Sequence, residues 1–138
     1  MKRKKLIKVL KEIMEKEREI LFAYLYGSYA LNAFHSKSDI DIAVYLKPSD
    51  IKAYLQKEKE LTAALITKLH NDNIDLRILN TLPFLLKYKV IKEGLPILIK
   101  DESERVNFET MVMNRFFELK PYLDEYNRML SLRIKSGV

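Results

Sequence analysis

Residues 21–46 read LFAYLYGSYALNAFHSKSDIDIAVYL, and the two ends of this stretch decide the fold. LFAYLY, at 21–26, is a continuous apolar run rich in aromatics and stopped by Gly27-Ser28. That pattern predicts a buried strand running into a turn. DIDIAVYL, at 39–46, alternates instead. Ile40, Ile42, Val44 and Leu46 share one face of a strand, and Asp39, Asp41, Ala43 and Tyr45 share the other. Residues 29–38 hold no sustained period and are expected to form a short helix or loop.

Working outward, residues 2–20 read as a helix with Leu6, Ile7, Leu10, Ile13, Met14 and Glu17 at three- and four-residue spacing. Lys47-Pro48-Ser49-Asp50 ends the second strand, with Ser49 or Asp50 as N-cap of a helix reaching about His70. Its expected core face is Ile51, Tyr54, Leu55, Leu61, Leu65 and Leu69. Residues 73–79 alternate again, with Ile74, Leu76 and Ile78 opposite Asn73, Asp75 and Arg77. Pro83 opens a helix to about Glu93, with Gly94 as a left-handed cap. PILIK, at 96–100, is a last strand with Pro96 at its first position. From about Ser103 the chain is helical, and Pro121 is expected to kink or split that helix. Met111, Met113, Phe116, Phe117, Tyr122, Tyr126 and Met129 make it rich in residues that suit both a core and a partner surface. The whole is one domain over 1–138, a core at 1–100 with C-terminal helices at 101–138. Its class is α/β (α+β), a small mixed sheet flanked by helices.

A chain of 138 residues without cysteine excludes a disulfide scaffold, thiolate zinc and a cysteine nucleophile. His35 and His70 are the only histidines, too few for a histidine cage. No apolar run approaches the roughly 20 residues that span a bilayer, and the basic N-terminus lacks the apolar segment of a secretory signal. The expected place is the cytoplasm. The net charge of +6 fits either a lysine-laced soluble surface or attraction to polyanions. No basic cluster interleaves with aromatics, so direct nucleic-acid binding is not expected.

The chemistry lies in Gly27-Ser28 and the three acids. Asp39 and Asp41, two residues apart on a strand, project from one face and can converge on one hard cation or two. Asp75, on the next alternating strand, also lies opposite the apolar residues. Mg²⁺ suits such a set, with waters and substrate phosphates completing its octahedron. A glycine ending a buried strand lets the backbone approach a ligand, and Ser28 with the following amides can hold a phosphate. Together these groups describe phosphoryl or nucleotidyl transfer. Blander roles compete: Ser28 as a helix cap, Asp75 as the ion-pair partner of Arg77, His35 as a surface loop residue.

YGS at 26–28, a ten-residue spacer and DIDI at 39–42 resemble the signature of the DNA polymerase β nucleotidyltransferase superfamily. The length, the spacer and the tail RFFELKPYLDEYNRML are similar to the minimal nucleotidyltransferase (MNT) antitoxins that pair with HEPN-domain ribonuclease toxins. The resemblance implies a polymerase β-like fold with a C-terminal helical extension. It implies ATP as substrate, bound at Gly27, Ser28, Asp39 and Asp41, and a two-metal Mg²⁺ site on Asp39, Asp41 and Asp75, which are also the catalytic acids. It implies AMP transfer to a tyrosine hydroxyl of a HEPN toxin encoded by an adjacent gene, in a hetero-oligomer with that toxin. A contact-only antitoxin and a nucleotidyltransferase for a small molecule or RNA are the alternatives. Many members continue Gly-Ser with x-Ala-Arg-Gly, where this chain has Ala30, then Leu31 and Asn32. Asn tolerates the left-handed turn, and the missing arginine removes a phosphate contact for which His35 or Lys37 would substitute.

Overall fold

The computed structural model describes residues 2–35, 37–135 and 137. Helix α1 (Arg3–Glu15) precedes strand β1 (Ile20–Tyr26), and a single 3-10 turn (Gly27–Tyr29) leads towards β2 (Ile40–Leu46). Helix α2 (Ile51–Leu69) crosses to β3 (Ile74–Ile78), followed by a second 3-10 turn (Leu79–Thr81). Helix α3 (Phe84–Glu93), β4 (Leu95–Ile99) and the long α4 (Glu102–Lys135) complete the chain. The sheet is mixed, in the order β3-β2-β1-β4. β1 runs antiparallel to β2 and β4, whereas β2 and β3 are parallel, as a helical crossover requires.

The unbroken apolar run of β1 has its reason in this layering. β1 is central, and both its faces are covered. Ala23 and Leu25 face Leu6, Leu10 and Met14 of α1 and Leu61 and Leu65 of α2, in a cluster that also takes Ile42, Val44 and Leu76. Phe22, Tyr24 and Tyr26 face the other way, against Val90 of α3 and Phe108 and Val112 of α4. Phe22 stacks on Tyr45 at 4.6 Å between ring centroids. The Tyr24 hydroxyl donates to Glu109, which ties α4 to the strand. Among the described residues no helix is long and apolar enough to cross a membrane.

Several expectations need correction. The first helix ends at Glu15, not 20, because the chain turns through residues 16–19 into β1. Ile51 and Leu55 lie on the exposed side of α2, at 63% and 54%, and only Leu61 and Leu65 are buried. Ile51 and Leu55 fall on the flank of α2, off the side on which Tyr54, Leu61, Leu65 and Leu69 meet the core. Asp50 is the N-cap, accepting from the Ala53 amide at 2.7 Å. Gly94 is extended (φ −78°, ψ 160°) rather than left-handed. What excludes a side chain there is Val90 O, 2.3 Å from where a Cβ would stand. Pro96 is the second residue of β4, opposite Tyr24 at an irregularity of an edge pair. Pro121 neither ends nor splits α4, which is one helix of 34 residues with the proline exposed on its side.

Leu65→Ala should therefore cost about 2–5 kcal/mol in urea unfolding, and Leu55→Ala less than about 1 kcal/mol, although both sit at core-like spacing in α2.

Candidate functional site

Strand register assembles the site. Tyr26 of β1 is the cross-strand partner of Asp41, and Asp41 is the partner of Asp75 on β3. Tyr26, Asp41 and Asp75 thus form a row across three strands on one sheet face. Asp39 stands exposed just before β2, on the side of Asp41. The helices α3 and α4 cover the remainder of this face and leave the acidic end open.

Gly27 fixes how the turn meets the strand. Its φ is +69°, a conformation other residues adopt at a cost. A Cβ built there would lie 2.1 Å from Asp41 Oδ2, so the carboxylate occupies the space of the absent side chain. The turn is closed by the Ala30 and Leu31 amides donating to Gly27 O, at 3.1 and 3.2 Å, and by the Ala33 amide donating to Ser28 O at 2.9 Å. Ser28 is half-buried within it. Asn32 takes the left-handed conformation (φ 56°) expected of it.

Two supports of this loop have little signal in the sequence. Arg3 Nη1 donates to Tyr29 O and Ala30 O at 3.3 and 3.1 Å, pinning the loop to α1. Nothing distinguishes Arg3 from the other bases of residues 2–5 before folding. Tyr29 stacks on Phe34, with centroids 4.3 Å apart and planes within 8°. Tyr26 is also absent from the sequence-based site, although its place in register with Asp41 follows once β1 and β2 are paired. His35 is exposed, and its Nδ1 accepts from the Lys37 amide at 3.2 Å, so it serves its own loop.

Electrostatics mark the same row. Burial, then the charges of Asp75 and Asp39, push the Asp41 carboxyl up to about 6, and Arg77 opposes the shift. Burial, then Asp75 and Asp41, push the Tyr26 hydroxyl up to about 12. Asp75 is held by Arg77, Nε to Oδ1 at 3.3 Å, in a half-exposed pair. The ion pair weighed for Asp75 is therefore present, while Asp75 still lies beside Asp41. Among the described residues no group of three acidic or histidine side chains is arranged to hold a metal by itself. The donor set nevertheless fits Mg²⁺. It offers hard oxygens whose negative charge Arg77 offsets in part, and Mg²⁺ is usually held by one or two carboxylates plus waters and substrate phosphates.

The family model described as Polymerase beta, Nucleotidyltransferase matches residues 8–103, more than half of the chain. The chain belongs to this nucleotidyltransferase family. Residues 8–103 include the Gly27 turn, all three acids and the whole sheet. No curated protein matches the chain at significant similarity. Its fold is similar to that in a crystal structure of a toxin–antitoxin with AMP-PNP (TM-score 0.67, 23% identity, 95% of this chain and 99% of that one). It is also similar to that in a complex of a tri-AMPylated Shewanella oneidensis HEPN toxin with an MNT antitoxin (TM-score 0.63, 20% identity, 95% and 99%). A third likeness is to the toxin–antitoxin MntA–HepT (TM-score 0.61, 20% identity, 92% and 98%). These likenesses span α4 as well as the core, so the nucleotidyltransferase family fold here carries its C-terminal helix.

Two measurements check this geometry. Gly27→Ala should cost roughly 1–3 kcal/mol in thermal or urea unfolding, from the positive φ and the clash with Asp41. In a double-mutant cycle with Asp41→Ala the steric part should vanish and the backbone part remain. The second is the pH dependence of Asp41→Asn. The Asp41 carboxyl is raised from 3.8 to about 6 in the folded protein, so its favourable contribution is full below 3.8 and is lost as pH rises through 6. Without divalent cation, Asp41→Asn should therefore match the wild type near pH 4. Above pH 7 it should be more stable, by on the order of 1 kcal/mol after allowance for solvent screening.

Proposed function

We propose that the chain is a metal-dependent protein adenylyltransferase that transfers AMP from ATP to a tyrosine hydroxyl of a HEPN toxin encoded beside it, and so acts as that toxin's antitoxin. The observation that carries the reading is the Asp41 carboxylate lodged against Gly27 with Asp75 as its register partner. It joins a turn suited to phosphate to an acidic row suited to a divalent ion. Membership of the nucleotidyltransferase family and the fold shared with a tri-AMPylated toxin–antitoxin complex support the substrate and the acceptor.

In this reading the Gly27-Ser28 turn binds the triphosphate through its backbone amides and the Ser28 hydroxyl, beside the Asp41 carboxylate that fills the space of the absent Gly27 side chain. Asp39 and Asp41 would hold Mg²⁺, which, when bound, neutralises phosphate charge and polarises the reacting phosphorus. Asp75 would complete the metal site on the acceptor side and take the tyrosine proton, with Arg77 orienting its carboxylate. The tyrosine oxygen forms a bond to the α-phosphorus, the bond from that phosphorus to the bridging oxygen breaks, and pyrophosphate leaves with the electron pair. Most of the rate enhancement comes from positioning and charge neutralisation, since no residue of the chain forms a covalent intermediate in this reaction.

Incubating the HEPN protein with this chain, ATP and Mg²⁺ should raise its intact mass by one or more AMP units. Asp39→Asn/Asp41→Asn should lower the rate on the order of 100-fold or more. No mass gain, with wild type and double mutant binding the partner equally, would leave a contact-only antitoxin.

A further inference from the structure

Among the described residues, Arg3 is the one side-chain cation bonded to the turn that follows β1. Its Nη1 donates to Tyr29 O at 3.3 Å and to Ala30 O at 3.1 Å, across 26 and 27 residues of chain. The guanidinium pairs with no acid among the described residues, so these carbonyls are what it is there to hold. The bases around it behave differently. Six of the 25 bases and none of the 19 acids fall in residues 2–11, so the whole excess of +6 rests on the start of α1. They crowd the positive end of the helix dipole, where bases are unfavourable, and the first turn of α1 holds no acid to offset them. Lys2 and Lys4 border the same groove as Arg3, beside Asn32 and Phe34, yet their side chains bond to nothing in the turn.

The turn needs such a brace. It is three residues long, too short to hold its shape unaided. Its own bonds run from the Ala30 and Leu31 amides to Gly27 O and from the Ala33 amide to Ser28 O. Tyr29 O receives only the Asn32 amide, at 3.4 Å, besides Arg3, and Ala30 O receives Arg3 alone. The amides of Ser28 and Tyr29 donate to no group among the described residues. Arg3 therefore ties the acceptor end of the turn, and the donor end stays open beside Asp41.

We infer that Arg3 is a positioning residue for nucleotide binding. Its two bonds fix the Tyr29 and Ala30 carbonyls and, through them, the Ser28 hydroxyl and the open amides that meet the triphosphate. The identity of the ligand rests on the proposed function; the bracing of the turn rests on the two bonds. Arg3 acts through the turn and not on the nucleotide, because α1 packs on the sheet face away from the acidic row. Losing it weakens ground-state and transition-state binding alike, which raises KM and spares kcat.

The test is calorimetric binding of AMP-PNP with Mg²⁺ to the full-length chain, with amide hydrogen exchange of the free protein. Arg3→Met keeps the apolar stem and removes the donors. It should weaken AMP-PNP binding by at least about 10-fold. It should also speed exchange of the Ala30, Leu31 and Ala33 amides while α2 and β3 exchange as in the wild type. Lys4→Met removes the same charge from the same groove and should stay within about twofold of wild type. Arg3→Lys keeps a donor and should restore binding to within about threefold. In AMP transfer Arg3→Met should raise the KM for ATP by the same factor as its binding loss, with kcat within about threefold. An Arg3→Met chain that binds AMP-PNP like wild type overturns the role given to Arg3 and leaves the proposed function standing. So does an equal loss for Lys4→Met, which would make the effect one of net charge. Faster exchange throughout the Arg3→Met chain overturns it as well, since Arg3 would then serve the fold as a whole. A wild-type chain that binds no AMP-PNP overturns the phosphate-binding turn and the role of Arg3 together. Arg3-dependent binding without AMP transfer to the partner overturns the transfer chemistry alone.

Discussion

The contact between the Asp41 carboxylate and the bare Cα of Gly27 is the constraint on which the rest of the site depends. It requires a glycine, because a side chain would stand in the carboxylate's place, and it requires the left-handed backbone that a glycine accepts. It also requires that β1 and β2 pair in one register, since a shift of one residue would turn Asp41 into the apolar cluster around Ile42 and Val44. The apolar face of β2 therefore holds the acids in place. Core packing on one side of the sheet sets the chemistry presented on the other.

The second consequence is electrostatic. Burying Asp41 and bringing it beside Asp75 and near Asp39 costs stability, and the raised affinity of Asp41 for a proton is the visible sign of it. Arg77 offsets part of this charge, pairing with Asp75 and acting on Asp41 as well. In the proposed function such a cluster would take up a cation together with its substrate. Affinity for metal and for triphosphate would then be coupled, each supplying charge that the other lacks.

Most of the fold was legible from residue pattern. The alternation of 40–46 and 74–78 set two strands, the acids on their shared face, and the place of Asp75 beside Asp41. Gly27 and Asn32 were readable because positive φ narrows the choice of residue. The failures have physical causes. Ile51 and Leu55 keep helical spacing but fall on the flank of α2 beside the side that Tyr54, Leu61 and Leu65 turn to the core, and periodicity alone cannot show how wide that side is. Gly94 reads as a left-handed cap from its place after a helix, but its need for glycine comes from the Val90 carbonyl of the last helical turn. Arg3 reaches the Tyr29 and Ala30 carbonyls across 26 and 27 residues of chain, and no local signal announces such a reach. The aromatic and methionine residues of α4 read equally as core and as interface. The structure divides them, with Met113 and Phe116 half-buried and Met111, Phe117, Tyr122, Tyr126 and Met129 exposed.

The most direct test of the account is a crystal structure of the protein with Mg²⁺ and a non-hydrolysable ATP analogue. The triphosphate is expected against the Gly27-Ser28 turn, with a metal ion ligated by Asp39 and Asp41 and with Asp75 facing the open side of the α-phosphorus. A nucleotide bound elsewhere, or a metal-bound triphosphate that leaves Asp41 without a metal contact, would contradict it.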